Sequence, residues 1–314
     1  MTTVLAMLGV EALAAPVPQP QAGAEKPAAA AQEHATSRKT DPVQTARRAL
    51  ALAVGKAHRE NATQKIDRYR AELEVTELGR DKDNITISLE VAFGATIERR
   101  AGFTMPMIRY AVDERGKKLL RGRDELGYWH SIGAKVENLS DKEHQNDREL
   151  VEQHIELSKM LLELLDPGKF VGSLRGNSPV QDVKLTVPGG KQIDAQRLDG
   201  TLDRFPLYRG DQKIRDAKVW MEVWVDKASS RLRQVKVFPL ASNGTPVFAQ
   251  GELIVLADFV RKDKVLLPCS LYFYKLLIHD KASKEQRQPT VRVNLKKFEL
   301  NPALTKEDFR RPKS

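Results

Sequence analysis

A single cysteine in 314 residues, Cys269, excludes an intramolecular disulfide and any metal cage built from thiolates. It sits in the strand-like run Leu266-Leu267-Pro268-Cys269-Ser270-Leu271, where a small buried hydrophobe is expected. A reactive thiol would need an electropositive, partly exposed setting. No stretch approaches the roughly 18 uninterrupted apolar residues of a membrane-spanning helix. No Gly-x-Ser-x-Gly elbow or P-loop occurs, and the turn Pro188-Gly189-Gly190 lacks the lysine and the strand-to-helix setting of a phosphate cradle. The acidic cluster Asp81 to Asn84 lacks the spaced ligands and glycine of a calcium loop. No carboxylate pair stands in an apolar setting that would keep one member protonated. His144 and His154 lie on one expected helix, with Glu143, Asp147 and Glu152 nearby, but at a spacing of ten rather than the three or four that zinc ligation on a helix uses. These absences assign no catalytic residue, no cofactor and no metal ligand, and point to a chain that is not an enzyme.

Charge is abundant, with 52 basic against 42 acidic residues and a net charge of +10. The densest basic groups are Arg99-Arg100, Lys117-Lys118 with Arg121 and Arg123, Arg261 to Lys264, and Arg310-Arg311. Aromatics make up only 6% of the chain and do not interleave with these groups, so a base-stacking surface is absent and no nucleic acid is expected as a partner. A weak attraction to anionic membrane surfaces fits the same charge better.

Val4 to Val10 form a short apolar stretch followed by Ala12-Leu13-Ala14, a small-x-small pattern suited to cleavage before Ala15. No Lys or Arg precedes the stretch and Glu11 interrupts it, so a disordered tail is the competing reading of residues 1–14. Residues 15–40, rich in Ala, Pro and Gln, read as a flexible linker that cannot bury enough surface to order itself. With no cysteine near the end of the leader for acylation, release into the periplasm or an equivalent envelope space is expected. Residues 41–314 are expected to form one domain.

Asp41-Pro42 opens a helix that continues to about His58, with Val43, Ala46, Leu50 and Ala53 at helical spacing. The period then becomes two. Tyr69, Ala71, Leu73 and Val75 alternate with polar residues, and after the turn at Asp81 to Asn84 so do Ile85, Ile87, Leu89, Val91 and Phe93. Ile108, Tyr110 and Val112 continue a meander that extends through Leu119 to Trp129. A long amphipathic helix is expected from about Asp141 to Leu165, stopped by Asp166-Pro167-Gly168. Strands resume around Val219 to Val225, Leu232 to Phe238, Gly251 to Val260, Val265 to Ile278 and Thr290 to Leu300, the last with a bulge near Lys296-Lys297. Thr305 caps a final turn carrying Phe309. Strands joined by tight turns, with helices at the start and middle, give an α+β class.

Four features in order resemble the LolA-like superfamily: an opening helix leading into a Tyr-containing strand from Ile66 to Val75; Pro106-Met107-Ile108-Arg109-Tyr110 followed by Tyr128-Trp129; Val223-Trp224-Val225-Asp226 leading to Leu232; and Phe298-Glu299-Leu300-Asn301-Pro302 with Asp308-Phe309. The similarity spans roughly residues 42–312, with extra material around 168–215 and a long charged central helix as departures. It implies a curved, incomplete antiparallel β-barrel with helices covering one face, and a soluble periplasmic carrier, chaperone or sensor that binds an acyl chain or a lipidated protein. The apolar cavity residues expected on that basis are Leu89, Val91, Phe93, Met221, Val223, Val225, Leu271 and Phe273 on strands, with Leu161 and Leu164 from the central helix. A packed core without ligand would use the same residues, which leaves an envelope protein-interaction or regulatory module, and an envelope hydrolase, as rivals. Trp220 and Trp224 share a face with Glu222 and Asp226, marking either a second buried layer or a patch for a protein partner.

Overall fold

A computed structural model describes residues 41–60, 66–78, 85–100, 103–114, 117–133, 135–139, 144–206, 216–277 and 286–312. The candidate leader and linker, the turn at Asp81 to Asn84 and the expected helical residues 141–143 lie outside these ranges.

The opening helix, α1 (Pro42–His58), starts as its sequence dictates: Asp41 Oδ1 accepts the Val43 N–H at 2.9 Å and Pro42 takes the first helical position. Its buried residues Arg47, Leu50, Ala51, Val54 and His58 recur every three or four positions and form the inward stripe. There follows a meander of β1 (Arg68–Glu77), β2 (Ile85–Arg100), β3 (Phe103–Glu114), β4 (Lys117–Asp124), β5 (Gly127–Ile132) and β6 (Lys135–Asn138). Tyr69, Ala71 and Leu73 stand directly opposite Phe93, Val91 and Leu89, so one face of each pair is continuously apolar.

The chain then crosses the sheet through α2 (Gln145–Leu165) and α3 (Pro167–Ser173), and meanders back through β7 (Gln181–Thr186), β8 (Gln192–Pro206), β9 (Asp216–Asp226), β10 (Leu232–Pro239), β11 (Glu252–Lys262), β12 (Val265–Leu277) and β13 (Gln286–Leu300). The result is one open, 13-stranded antiparallel sheet in the order β6-β5-β4-β3-β2-β1-β13-β12-β11-β10-β9-β8-β7. The first and last strands pair at its centre, Tyr69 opposite Leu300 and Glu77 opposite Val291. The register skips Lys296, because Leu73 faces Leu295 while Glu72 faces Lys297; this is the bulge expected from the change of phase.

α3, β6, β7 and β8 were not expected from the sequence. Asp166-Pro167 ends α2 as expected, yet Pro167 also opens α3, since a residue that cannot continue one helix is well suited to the first position of the next. Residues read as extra material around 168–215 supply α3 and the strands β7 and β8. Their alternation is masked by charges that pair across strands, Lys184 with Asp194 at 2.6 Å and Arg197 with Glu222 at 2.8 Å.

The main core lies between one sheet face and the three helices. At the close of the chain Thr305 and Asp308 form a reciprocal capping box, which seats Phe309 against Met107 and Leu304 on the opposite face.

Candidate functional site

The ten residues expected around a cavity come together in one buried cluster. Leu89, Val91 and Phe93 on β2, Met221, Val223 and Val225 on β9, Leu271 and Phe273 on β12, and Leu161 and Leu164 on α2 are each at 5% exposure or less. A hydrogen bond and a ring stack fix α2 over this interior. The Tyr69 hydroxyl donates to Ser158 Oγ at 2.8 Å, and the Tyr110 ring stacks on His154 with centroids 4.2 Å apart. His154 Nδ1 donates to the Leu150 carbonyl at 2.8 Å, and burial holds its imidazole down to about 4, so it is neutral. Burial pushes the Tyr69 and Tyr110 phenols above their ordinary value, keeping both protonated.

A groove of about 970 Å³ crosses the face turned away from α2, from β4 to the ends of β11 and β12. It arises where the sheet forks. β13 pairs with β1 as far as Leu300, but with β12 only up to Asn294 opposite Ser270. Beyond that point Lys262 Nζ donates to the Phe298 carbonyl, supplying a donor to a strand edge that has lost its neighbour. Ala92, Ala111, Leu120 and Val260 are the groove's apolar lining on that face, and Ala71, Val91, Leu267 and Phe298, whose side chains belong to the core, border it from within. The rim is ion-paired, Lys118 with Glu90 at 2.7 Å, Lys297 with Glu72 at 2.7 Å and Arg70 with Asp308 at 3.1 Å. Of the ten candidate residues only Val91 borders this groove. Cys269, expected as a small buried hydrophobe, is half-buried there because the fork uncovers that stretch of β12. Burial, then the nearby Asp258 carboxylate, pushes its thiol above the ordinary range, which makes it a poor nucleophile.

No protein-family model matches the chain, and no curated protein matches it significantly. Among solved structures it is similar to a LolA superfamily protein from Nitrosomonas europaea, at 12% identity and a TM-score of 0.38, over 85% of this chain and 98% of that one. It is also similar to MucB in complex with MucA(peri), at 11% identity and a TM-score of 0.17, over 83% of this chain and 96% of that one. The Pseudomonas aeruginosa MucA/MucB complex matches at 10% identity and a TM-score of 0.18, over 84% and 96%.

The motifs singled out in the sequence fall on load-carrying positions of the sheet. Arg109 of the Pro-Met-Ile-Arg-Tyr run on β3 reaches the groove, and Trp129 on β5 is fully buried. Trp129 packs against Gly122, where a Cβ would lie 2.7 Å from the indole and 2.6 Å from the Ile108 carbonyl. Trp224 is buried under the β7–β8 hairpin with Leu185 and Ala195, while Trp220 packs with Phe238 and Leu276, so both belong to a second layer on the outer face. His144 and His154 do not meet across α2. His144 instead approaches His130 and Glu137, a grouping invisible in the sequence because three elements supply it.

Sequence reasoning also missed Arg47 and His58. Arg47 donates to the carbonyls of Ser178, Asp199 and Leu174 at 2.9, 3.0 and 3.0 Å, tying α1 to the start of the second meander. His58 Nε2 accepts the Leu232 N–H at 3.0 Å. Both lie on the buried stripe of α1 with Leu50, Ala51 and Val54, and a polar residue in an apolar stripe was the available signal.

Proposed function

We propose that the chain is an exported, non-enzymatic binding protein of the cell envelope, a single domain from residue 41 onward, that holds an acyl chain or a lipidated partner between the sheet and α2. The observation that carries this reading is the reach of α2, which packs against β2, β3, β4 and β5 and also against β8 and β12. β5 and β8 are the second and twelfth strands of the sheet, about 48 Å apart if it were flat. With 21 residues α2 is only about 31 Å long, so a sheet bent around it, as in an incomplete barrel, accounts for both contacts.

The eight strand candidates then line the inside of the bend around α2, which brings Leu161 and Leu164, and lifting this helix exposes an apolar surface suited to a hydrocarbon chain. Ten buried methylenes at roughly 0.8 kcal/mol each supply about 8 kcal/mol before association costs, so a chain of that length binds more weakly than micromolar and a longer or second chain is needed for tight retention. The four motifs similar to the LolA-like superfamily support the same reading, and with it an envelope location. The buried Tyr69, Arg47 and His58 serve structure, through Ser158, three carbonyls and Leu232 respectively, which supports binding rather than catalysis.

A second reading, an envelope protein-interaction module with a filled core, is favoured by the close burial of those same ten residues. Native mass spectrometry of the mature chain from the envelope fraction separates the two. A bound mass in the lipid range, lost in a folded Val223→Trp variant, is the expected result. An unliganded protein that also takes up no fluorescent fatty acid overturns the carrier reading in favour of the module.

A further inference from the structure

His130 on β5, Glu137 on β6 and His144 at the threshold of α2 converge at the sheet edge, each offering a ligand atom, all within 4.8 Å of one another. The register of the β5–β6 hairpin sets His130 directly opposite Glu137, which puts both side chains on one face. His130 Nε2 lies 2.7 Å from Glu137 Oε2, and His144 Nε2 lies 4.0 Å from the same oxygen. The two imidazoles meet edge to face with centroids 5.6 Å apart.

A second feature points to a ligand. Nδ1 of His130 is buried without a hydrogen bond, and Asp147 Oδ2 stands 3.5 Å from it. Asp147 is itself held by Arg121 Nη2 at 2.8 Å. A metal-bound imidazole characteristically turns its other N–H to a carboxylate, which fixes the tautomer and raises the basicity of the ligating nitrogen. Here the carboxylate waits on the far side of the ring.

We propose that His130, Glu137 and His144 bind a zinc ion, that Asp147 orients His130, and that the ion fastens the first turn of α2 to the β5–β6 edge. Two imidazoles and a carboxylate are a ligand set that zinc accepts, with water in the fourth position. Ligand atoms about 2.0–2.1 Å from a tetrahedral ion stand about 3.3 Å apart, so the 4.0 Å gap closes by less than 1 Å through side-chain rotation. Glu137 and His144 side chains are 25% and 28% exposed, which admits the ion from solvent, while His130 at 8% forms the rigid base of the site. Lys135 engages Glu137 through Oε1, leaving Oε2 for the metal, and at 78% exposure its ammonium is free to swing away.

The test titrates zinc into the full, metal-stripped chain without an affinity tag, by calorimetry and native mass spectrometry, with cobalt as the spectroscopic probe. One zinc per chain, tetrahedral cobalt bands and a raised Tm are expected. His144→Ala and Glu137→Gln, each checked by circular dichroism, should lose affinity by well over tenfold, and Asp147→Asn by about 10- to 100-fold. His34→Ala and His279→Ala should bind as the wild type does. Failure of the wild type to bind zinc, or undiminished binding in the folded His144→Ala and Glu137→Gln proteins, overturns the proposal.

Discussion

Two glycines face each other where α1 crosses α3, and adding one methyl to either has opposite consequences. A Cβ on Gly168 would lie 2.5 Å from Gly55 Cα, 2.8 Å from Gly55 N and 3.1 Å from the Ala51 carbonyl oxygen, all main-chain atoms of α1. None of these can rotate away, so Gly168→Ala must push the helices apart. Overpacking of this kind costs about 1–3 kcal/mol, and loosening the crossing also strains the Arg47 hydrogen bonds that follow α3. A Cβ on Gly55 meets only Gly168 Cα, at an ordinary 3.8 Å, and Gly55 lies in the interior of α1. Gly55→Ala should therefore be neutral or stabilising, by up to about 1 kcal/mol from helix propensity. Urea unfolding followed by far-ultraviolet circular dichroism reads the difference. With a slope of about 3 kcal/mol/M, Gly168→Ala should lower the midpoint by roughly 0.7 M and Gly55→Ala should hold or raise it. Equal losses in both variants, or no loss in Gly168→Ala, would refute the geometry of the crossing.

Stability should also fall with acid in a defined window. Burial holds His58 and His154 down to about 4, against 6.5 for a free imidazole. Between those values the unfolded chain binds protons that the folded chain refuses, so stability is full above pH 6.5 and declines as pH drops toward 4, by roughly 3 kcal/mol per imidazole. Urea midpoints that stay level between pH 7 and pH 4.5 would contradict this. Asp124, 6% exposed, accepts from Arg311 Nε and Nη2 at 2.8 Å each and from the Leu126 N–H at 2.8 Å. Burial alone would raise its carboxyl, but Arg311 and Leu126 outweigh it and hold it below the usual range. Asp124→Asn should cost about 2 kcal/mol and release the segment after Phe309 to proteolysis, measured by limited digestion and mass spectrometry; an unchanged digestion pattern would show that Arg311 does not anchor it.

Much of the architecture was legible because it rests on local rules. Asp41-Pro42 capped α1, the two-residue period from Tyr69 to Phe93 marked β1 and β2, the slip near Lys296 marked the bulge, and Thr305 capped the closing turn. Strands β7 and β8 were not read, since their outward charges are satisfied only by partners such as Glu222 on another strand. Cys269 looked like a core residue because the fork that uncovers it depends on how far β12 follows β13.

By itself, then, the sequence determined most of the helices and strands, α3, β6, β7 and β8 excepted, and which of their faces are apolar, because capping and periodicity act within a few residues of the chain. Only the tertiary structure decided that the first strand pairs with the last, that the described groove lies on the face away from α2, and that His130, Glu137 and His144 share one corner. Those are meetings of residues far apart along the chain. They are set by the order of strands in the sheet and by where α2 lands on it, and no short-range pattern records either.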